Sequence, residues 1–277
     1  MALIPPFFLN CVVSIGLRPI QEPAKINWIG TGFIVGRPLE GVNNEKQFHT
    51  FLVTNKHVLL NQQSIVIRFD STLGLDAKDY DINLIKGGVS IWTGHKSNNV
   101  DVAVINLNPA ALQDDGGDLQ FFQMDEHLLS VNQMRSEGVS EGDGVFILGF
   151  PMGIVAPQKK NVIARVGAIA RIRDTLEGSE STFLIDANIF PGNSGGPVII
   201  KPEMISIQET KSINKSFLIG IVKSYLPFMD TAISQLTGRP RVIFEENSGL
   251  ALVESVDSIK ETIEDCYQNL VLGQKIN

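Results

Sequence analysis

The chain has 277 residues, 43% hydrophobic, 19% charged and of net charge −7, enough apolar material for one large core or two moderate ones. That balance excludes disorder. An acidic surface also has no electrostatic reason to approach phosphate backbones or anionic lipid, so neither nucleic acid nor membrane is an expected partner.

The N-terminal run Met1–Leu9 is apolar, but it lacks a basic start, carries Pro5-Pro6 and reaches Asn10 without a small-residue cleavage site. No signal peptide is predicted. No stretch approaches the ~20 apolar residues of a spanning helix, which with the missing signal favours the cytoplasm. Cys11 and Cys266 stand near opposite ends and resemble neither a disulfide framework nor a metal cluster; they are read as two buried thiols.

Short apolar, β-branched runs between turn signals predict strands at Ile29–Val35, Thr50–Asn55, Ser64–Phe69 and Val100–Ile105. The polar stretch Asn106–Asp143, with Asp114-Asp115-Gly116-Gly117-Asp118, breaks this rhythm and reads as a connection. Strands resume at Val145–Gly149, Val162–Ile172, Thr182–Ile185, Pro197–Ile200, Phe217–Val222 and Leu250–Val253. The predicted units are therefore an N-terminal β-barrel over 1–107, a linker over 108–143 and a C-terminal barrel over 144–277. Val256, Ile259, Ile263, Cys266 and Leu270 follow at helical spacing and predict a closing helix that packs on the second unit. No repeat, DNA-reading helix or phosphate-binding loop is present, and nothing in the sequence requires a metal or cofactor.

The string Phe190-Pro-Gly-Asn-Ser-Gly-Gly-Pro-Val198 sets a serine among glycines just before an apolar strand. A Gly-rich turn is one reading. A nucleophile loop is the other, because acyl transfer needs backbone N–H groups aimed at a developing oxyanion, and Gly192 and Ser194 would supply them. Serine needs a base within reach, and histidine has the suitable pKa. His57, in Phe51-Leu-Val-Thr-Asn-Lys-His-Val58, sits where an apolar strand ends and the chain turns; His49, His95 and His127 lie in polar surroundings and are read as solvated. Asp101 opens the apolar strand Val100–Ile105, where a carboxylate without a partner would be costly, and it is the candidate to orient the histidine. The order His57, Asp101, Ser194 places the site between the two units.

These segments resemble trypsin-like serine peptidases, and more closely the HtrA/Deg-type bacterial branch. The resemblance rests on Gly30-Thr-Gly-Phe-Ile-Val35, Val53-Thr-Asn-Lys-His-Val58, Asp101-Val-Ala-Val-Ile105, Val145-Phe-Ile-Leu-Gly-Phe-Pro-Met-Gly153 and Asp186–Pro197, in that order. It implies an all-β fold of two six-stranded-type antiparallel, chymotrypsin-like barrels with a C-terminal helix. It also implies hydrolysis of peptide bonds in a protein or peptide substrate through an acyl-enzyme. Asn193 stands where the digestive enzymes carry an aspartate, so activation by a newly cut N-terminus is not expected. HtrA-type proteins usually continue into a PDZ module; here Val271–Asn277 follow the helix, and regulation by such a module is not expected. An activating partner protein stays open. For the pocket of the residue before the scissile bond, the resemblance implies Ile189 on one wall and Tyr225 with Leu226 on the other. No acidic residue matches the pocket base, so an uncharged side chain is expected there. Two other functions stay open: a catalytically silent peptide-binding protein, and an esterase, although the G-x-S-x-G elbow is absent.

Overall fold

The computed structural model describes residues 3–39, 46–74, 76–203 and 211–276; Met1 and Ala2 of the N-terminal run, and Asn277, lie outside them. Pro5 and Pro6 start a short helix α1 (Pro6–Asn10), where proline's fixed φ and missing N–H suit a first turn. Phe8 from that turn is buried. Strands β1 (Val12–Leu17), β2 (Asn27–Pro38) and β3 (Phe48–Thr54) follow, then the one-turn helix α2 (Lys56–Leu59). Next come β4 (Ser64–Phe69), β5 (Lys78–Asn83), the small hairpin β6 (Ile85–Lys86) and β7 (Val89–Ser90), β8 (Trp92–Gly94) and β9 (Ala103–Leu107).

These strands form one sheet in the order β5-β4-β1-β2-β3-β9-β8, with β6 and β7 pairing separately. The first unit is thus a half-barrel rather than the closed barrel expected. Its end strand β5, Lys-Asp-Tyr-Asp-Ile-Asn, is polar and at most half-buried along its length, which suits an edge that meets water.

The central stretch is more ordered than its polarity suggests. It contains α3 (Pro109–Asp114), β10 (Phe122–Gln123) and α4 (Val131–Glu137), and β10 joins the first sheet by pairing in parallel with β2. The second unit holds β11 (Gly144–Gly149), β12 (Ile163–Arg171), the short helix α5 (Arg173–Leu176), β13 (Thr182–Asp186), β14 (Pro197–Ile200), β15 (Phe217–Ile233) and β16 (Pro240–Ser255). Its six strands close in the order β11-β12-β13-β16-β15-β14.

Helix α6 (Val256–Ile276) corrects one expectation: it straddles the two units instead of capping the second. It packs on β15 and β16 and equally on β8 and β9. Val256, Ile259, Ile263 and Cys266 enter a single cluster with Phe33, Phe51 and Val53 of the first unit and Phe146, Leu148 and Ile221 of the second. Burying an apolar helical stripe removes most area from water where two sheets meet. Cys11 and Cys266 are both free and buried in this cluster. Among the described residues no helix is long and apolar enough to cross a membrane.

Candidate active site

Three chain turns deliver the candidate residues to one cleft of about 380 Å³, lined by His57, Asp101, Ile189, Ser194, Lys223 and Tyr225 among others. His57 sits on α2, directly after β3. The neighbouring Val58 and Leu59 are buried, which pins the turn and leaves the imidazole half-exposed over the cleft. Asp101 lies two residues before β9 rather than within a strand, so the apolar run Val100–Ile105 is only partly β. Its Oδ2 accepts from His57 Nδ1 at 2.5 Å, and its Oδ1 accepts from the His57 backbone N–H at 3.1 Å. A carboxylate only accepts, so Nδ1 carries a proton and Nε2 is the ring nitrogen left for another partner.

Groups absent from the sequence reading hold Asp101 in place. Its backbone N–H donates to Oε1 of Glu254 on β16 at 2.9 Å, and its carbonyl accepts from Asn55 Nδ2 at 2.7 Å. Glu254 is fully buried, and its counter-ion is Lys223 on β15, with Nζ 2.9 Å from the same Oε1. Lys223 also donates to the Asn99 carbonyl at 2.7 Å. Glu254 Oε2 and Asn55 Oδ1 are buried without a partner among the described residues. The only sequence cue to Glu254 is an acidic residue at the end of an apolar strand.

Ser194 lies in the loop joining β13 to β14, and two glycines explain its shape. Gly192 has φ +95, and a Cβ there would meet the Phe150 carbonyl at 2.4 Å; Gly195 has φ +84, and a Cβ would lie 2.0 Å from the Thr31 carbonyl. Both the left-handed conformation and the close approach require glycine. Thr31 on β2 anchors the loop from the other unit: its N–H donates to the Ser194 carbonyl at 2.9 Å and its Oγ1 to the Gly192 carbonyl at 2.7 Å. Asn193 is buried beneath the loop, its Nδ2 without a partner among the described residues.

The Pro191 carbonyl accepts from Met152 N–H at 2.6 Å, and no peptide bond among the described residues is cis. In a trans peptide the N–H of the following residue points the opposite way, so Gly192 N–H is directed away from Met152. Neither Gly192 N–H nor Ser194 N–H donates to a backbone or side-chain acceptor among the described residues. The Ser194 hydroxyl lies 3.4 Å from the Lys223 carbonyl, and no hydrogen bond joins it to His57 among the described residues.

Ile189 is buried in the wall of this cleft and Tyr225 faces it, with its hydroxyl 2.5 Å from Glu245 Oε1. Leu226 does not share the cleft. It lines a separate pocket with Ile172, Thr182 and Leu252, because consecutive strand residues point to opposite faces. The remaining histidines also differ from expectation. His49 lies on β3 against Tyr267, His127 Nδ1 accepts from the Gln123 backbone, and His95 Nε2 lies 3.0 Å from Glu261 with little of its ring exposed. Burial lowers the pKa of both His49 and His127. No group of His, Cys, Asp and Glu among the described residues is arranged to hold a metal ion.

A half-barrel and a closed barrel thus bring His57 and Asp101 from one and Ser194 from the other to a single cleft. The chain belongs to the trypsin-like peptidase domain family, whose description matches residues 30–201, more than half its length. Among solved structures, the protease domain of MamO from Magnetospirillum magneticum, in its apo form, is similar with 15% identity and a TM-score of 0.48. The similarity covers 92% of this chain and 96% of that one. No curated protein matches significantly in sequence.

Proposed function

We propose that this protein is a serine endopeptidase of the HtrA/Deg type, with Ser194 as nucleophile, His57 as general base and Asp101 as the group that orients the imidazole. The observation that carries the reading is that the Asp101–His57 pair and Ser194 line one cleft; it is supported by the N–H groups of Gly192 and Ser194 in the same loop, which donate to no acceptor among the described residues. His57 Nε2 takes the Ser194 proton as Oγ attacks the scissile carbonyl. Asp101 stabilises the imidazolium, and Gly192 N–H with Ser194 N–H receives the oxyanion. The same imidazolium then protonates the leaving amine, and water attacks the acyl-enzyme with His57 again as base. Ile189 and Tyr225 give the pocket uncharged walls, and the Lys223 ammonium is occupied by Glu254 and Asn99, which supports an uncharged residue before the scissile bond.

One observation favours a second reading, a catalytically silent peptide-binding protein: Ser194 makes no hydrogen bond to His57 among the described residues. Incubation with a fluorophosphonate probe, followed by cleavage of an unbiased peptide library, separates the two. Stoichiometric labelling, lost in Ser194→Ala, together with cleavage after uncharged residues is expected. Silence toward both probe and library would leave the binder. With Asn193 in the place of the activation aspartate, the label is expected on chains that have not been cut near the N-terminus.

A further inference from the structure

Strands β15 and β16 continue well past the barrel that they help to close. In the barrel, β15 pairs with β14 through Phe217–Ile221 and β16 pairs with β13 through Leu250–Glu254. Beyond these, the segments Pro227 to Ile233 and Pro240 to Asn247 pair only with each other among the described residues, as a projecting two-stranded arm. Alternation sends Phe228, Val242 and Phe244 to one face and Met229, Ile233 and Ile243 to the other. All six are more than half exposed. A two-stranded hairpin is marginal by itself in water, and an open apolar edge is a template for another strand.

We propose that the outer edge of β16 pairs antiparallel with β16 of a second copy of this chain, about a two-fold axis through Ile243. The edge reads Arg241-Val-Ile-Phe-Glu245, with Arg241 at a bulge where Ala232 pairs with Val242 and Ile233 with Pro240, and its sequence is complementary to its own reverse. About that axis Arg241 stands opposite Glu245 of the second copy, Val242 opposite its Phe244, and Ile243 opposite its Ile243, with each unlike pair formed twice. Opposite charges and apolar pairs across strands are the favourable combinations, and a one-residue slip destroys both. Arg241 makes no ion pair among the described residues, and Glu245 is engaged there by the Tyr225 hydroxyl, which leaves its second oxygen for a cation. The product is a four-stranded sheet, self-complementary as a two-fold contact must be. The arm begins two residues beyond Tyr225, so the contact adjoins the cleft, but the proposal does not depend on peptidase activity.

Sedimentation velocity of the full chain at micromolar concentration is expected to show a dimer. Arg241→Glu and Glu245→Arg should each weaken it roughly tenfold by setting like charges opposite at both symmetric positions, and the double exchange should restore it. Ile243→Cys should give a disulfide-linked dimer on mild oxidation, since residue 243 faces its own copy, whereas Thr231→Cys on the inner strand should not. Cys11 and Cys266 are buried and do not compete. Unchanged thermal unfolding of the variants guards against misfolding. A wild-type chain that stays monomeric overturns the proposal, even if the edge takes up an extended peptide. So does a dimer indifferent to the charge changes, or equal cross-linking at 231 and 243.

Discussion

Asp101 is gripped by both halves of the chain: Glu254 takes its backbone N–H, Asn55 donates to its carbonyl, and His57 engages both carboxylate oxygens. Asp101→Asn keeps this scaffold but forces the wrong imidazole tautomer. A loss on the order of 10⁴ in kcat near neutral pH is expected, with an unchanged far-UV spectrum. Glu254 acts through Asp101 rather than on substrate, so its variants separate position from charge. Glu254→Gln retains an acceptor for the Asp101 N–H and should keep the fold. Glu254→Leu leaves that N–H without its acceptor and the Lys223 ammonium with the Asn99 carbonyl but no counter-ion, and a destabilisation of roughly 1–3 kcal/mol is expected in urea unfolding. Lys223→Met combined with Glu254→Leu should recover only the part of that loss due to the unpaired ammonium, because the Asp101 N–H still lacks its acceptor.

Among the elements, α4 was legible but hidden in a polar stretch. Ser130 and Gln133 form a reciprocal capping box at its start, and Gly138 ends it in the left-handed conformation. Just beyond, Glu141 ties this connection to α5: its Oε1 accepts from the Ile172 N–H at 3.1 Å and its Oε2 from Arg173 Nε at 3.2 Å. The backbone N–H of Ile172, foremost among several hydrogen bonds, holds the Glu141 carboxyl down to about 2, against 4.5 ordinarily. A pKa depressed by folding means that the unfolded chain binds the proton more tightly. Glu141 therefore contributes stability that is fully present above pH ~4.5 and is lost as pH falls toward ~2. Glu141→Gln should lower the Tm at pH 7, and the gap to wild type should shrink between pH 4.5 and pH 3; a gap independent of pH would exclude this role. The β15–β16 pair shows the opposite limit of legibility. Only Phe217–Val222 and Leu250–Val253 carry a clean apolar pattern, while the arm between them mixes charges, prolines and apolar residues on both faces.

In the whole molecule, α6 and the cluster beneath it join the two units into one body. Ile259 and Ile263 are fully buried there, and Ile263→Ala is expected to cost about 2–5 kcal/mol while leaving a single calorimetric transition. Two separated transitions would show that the helix, rather than the whole cluster, couples the units. The sequence by itself determined the local features: strand periodicity, the His57 turn, the glycines that shape the Ser194 loop and the apolar stripe of α6. Each is set by neighbours within a few residues, through side-chain alternation, helical spacing or the φ values open to glycine. The tertiary structure alone decided that one barrel closes while the other stays half-open, that α6 spans both, that Leu226 turns away from the cleft, and that Glu254 holds Asp101 from 153 residues away. Those outcomes depend on which surfaces meet and which buried polar groups find partners, and local periodicity carries no record of either.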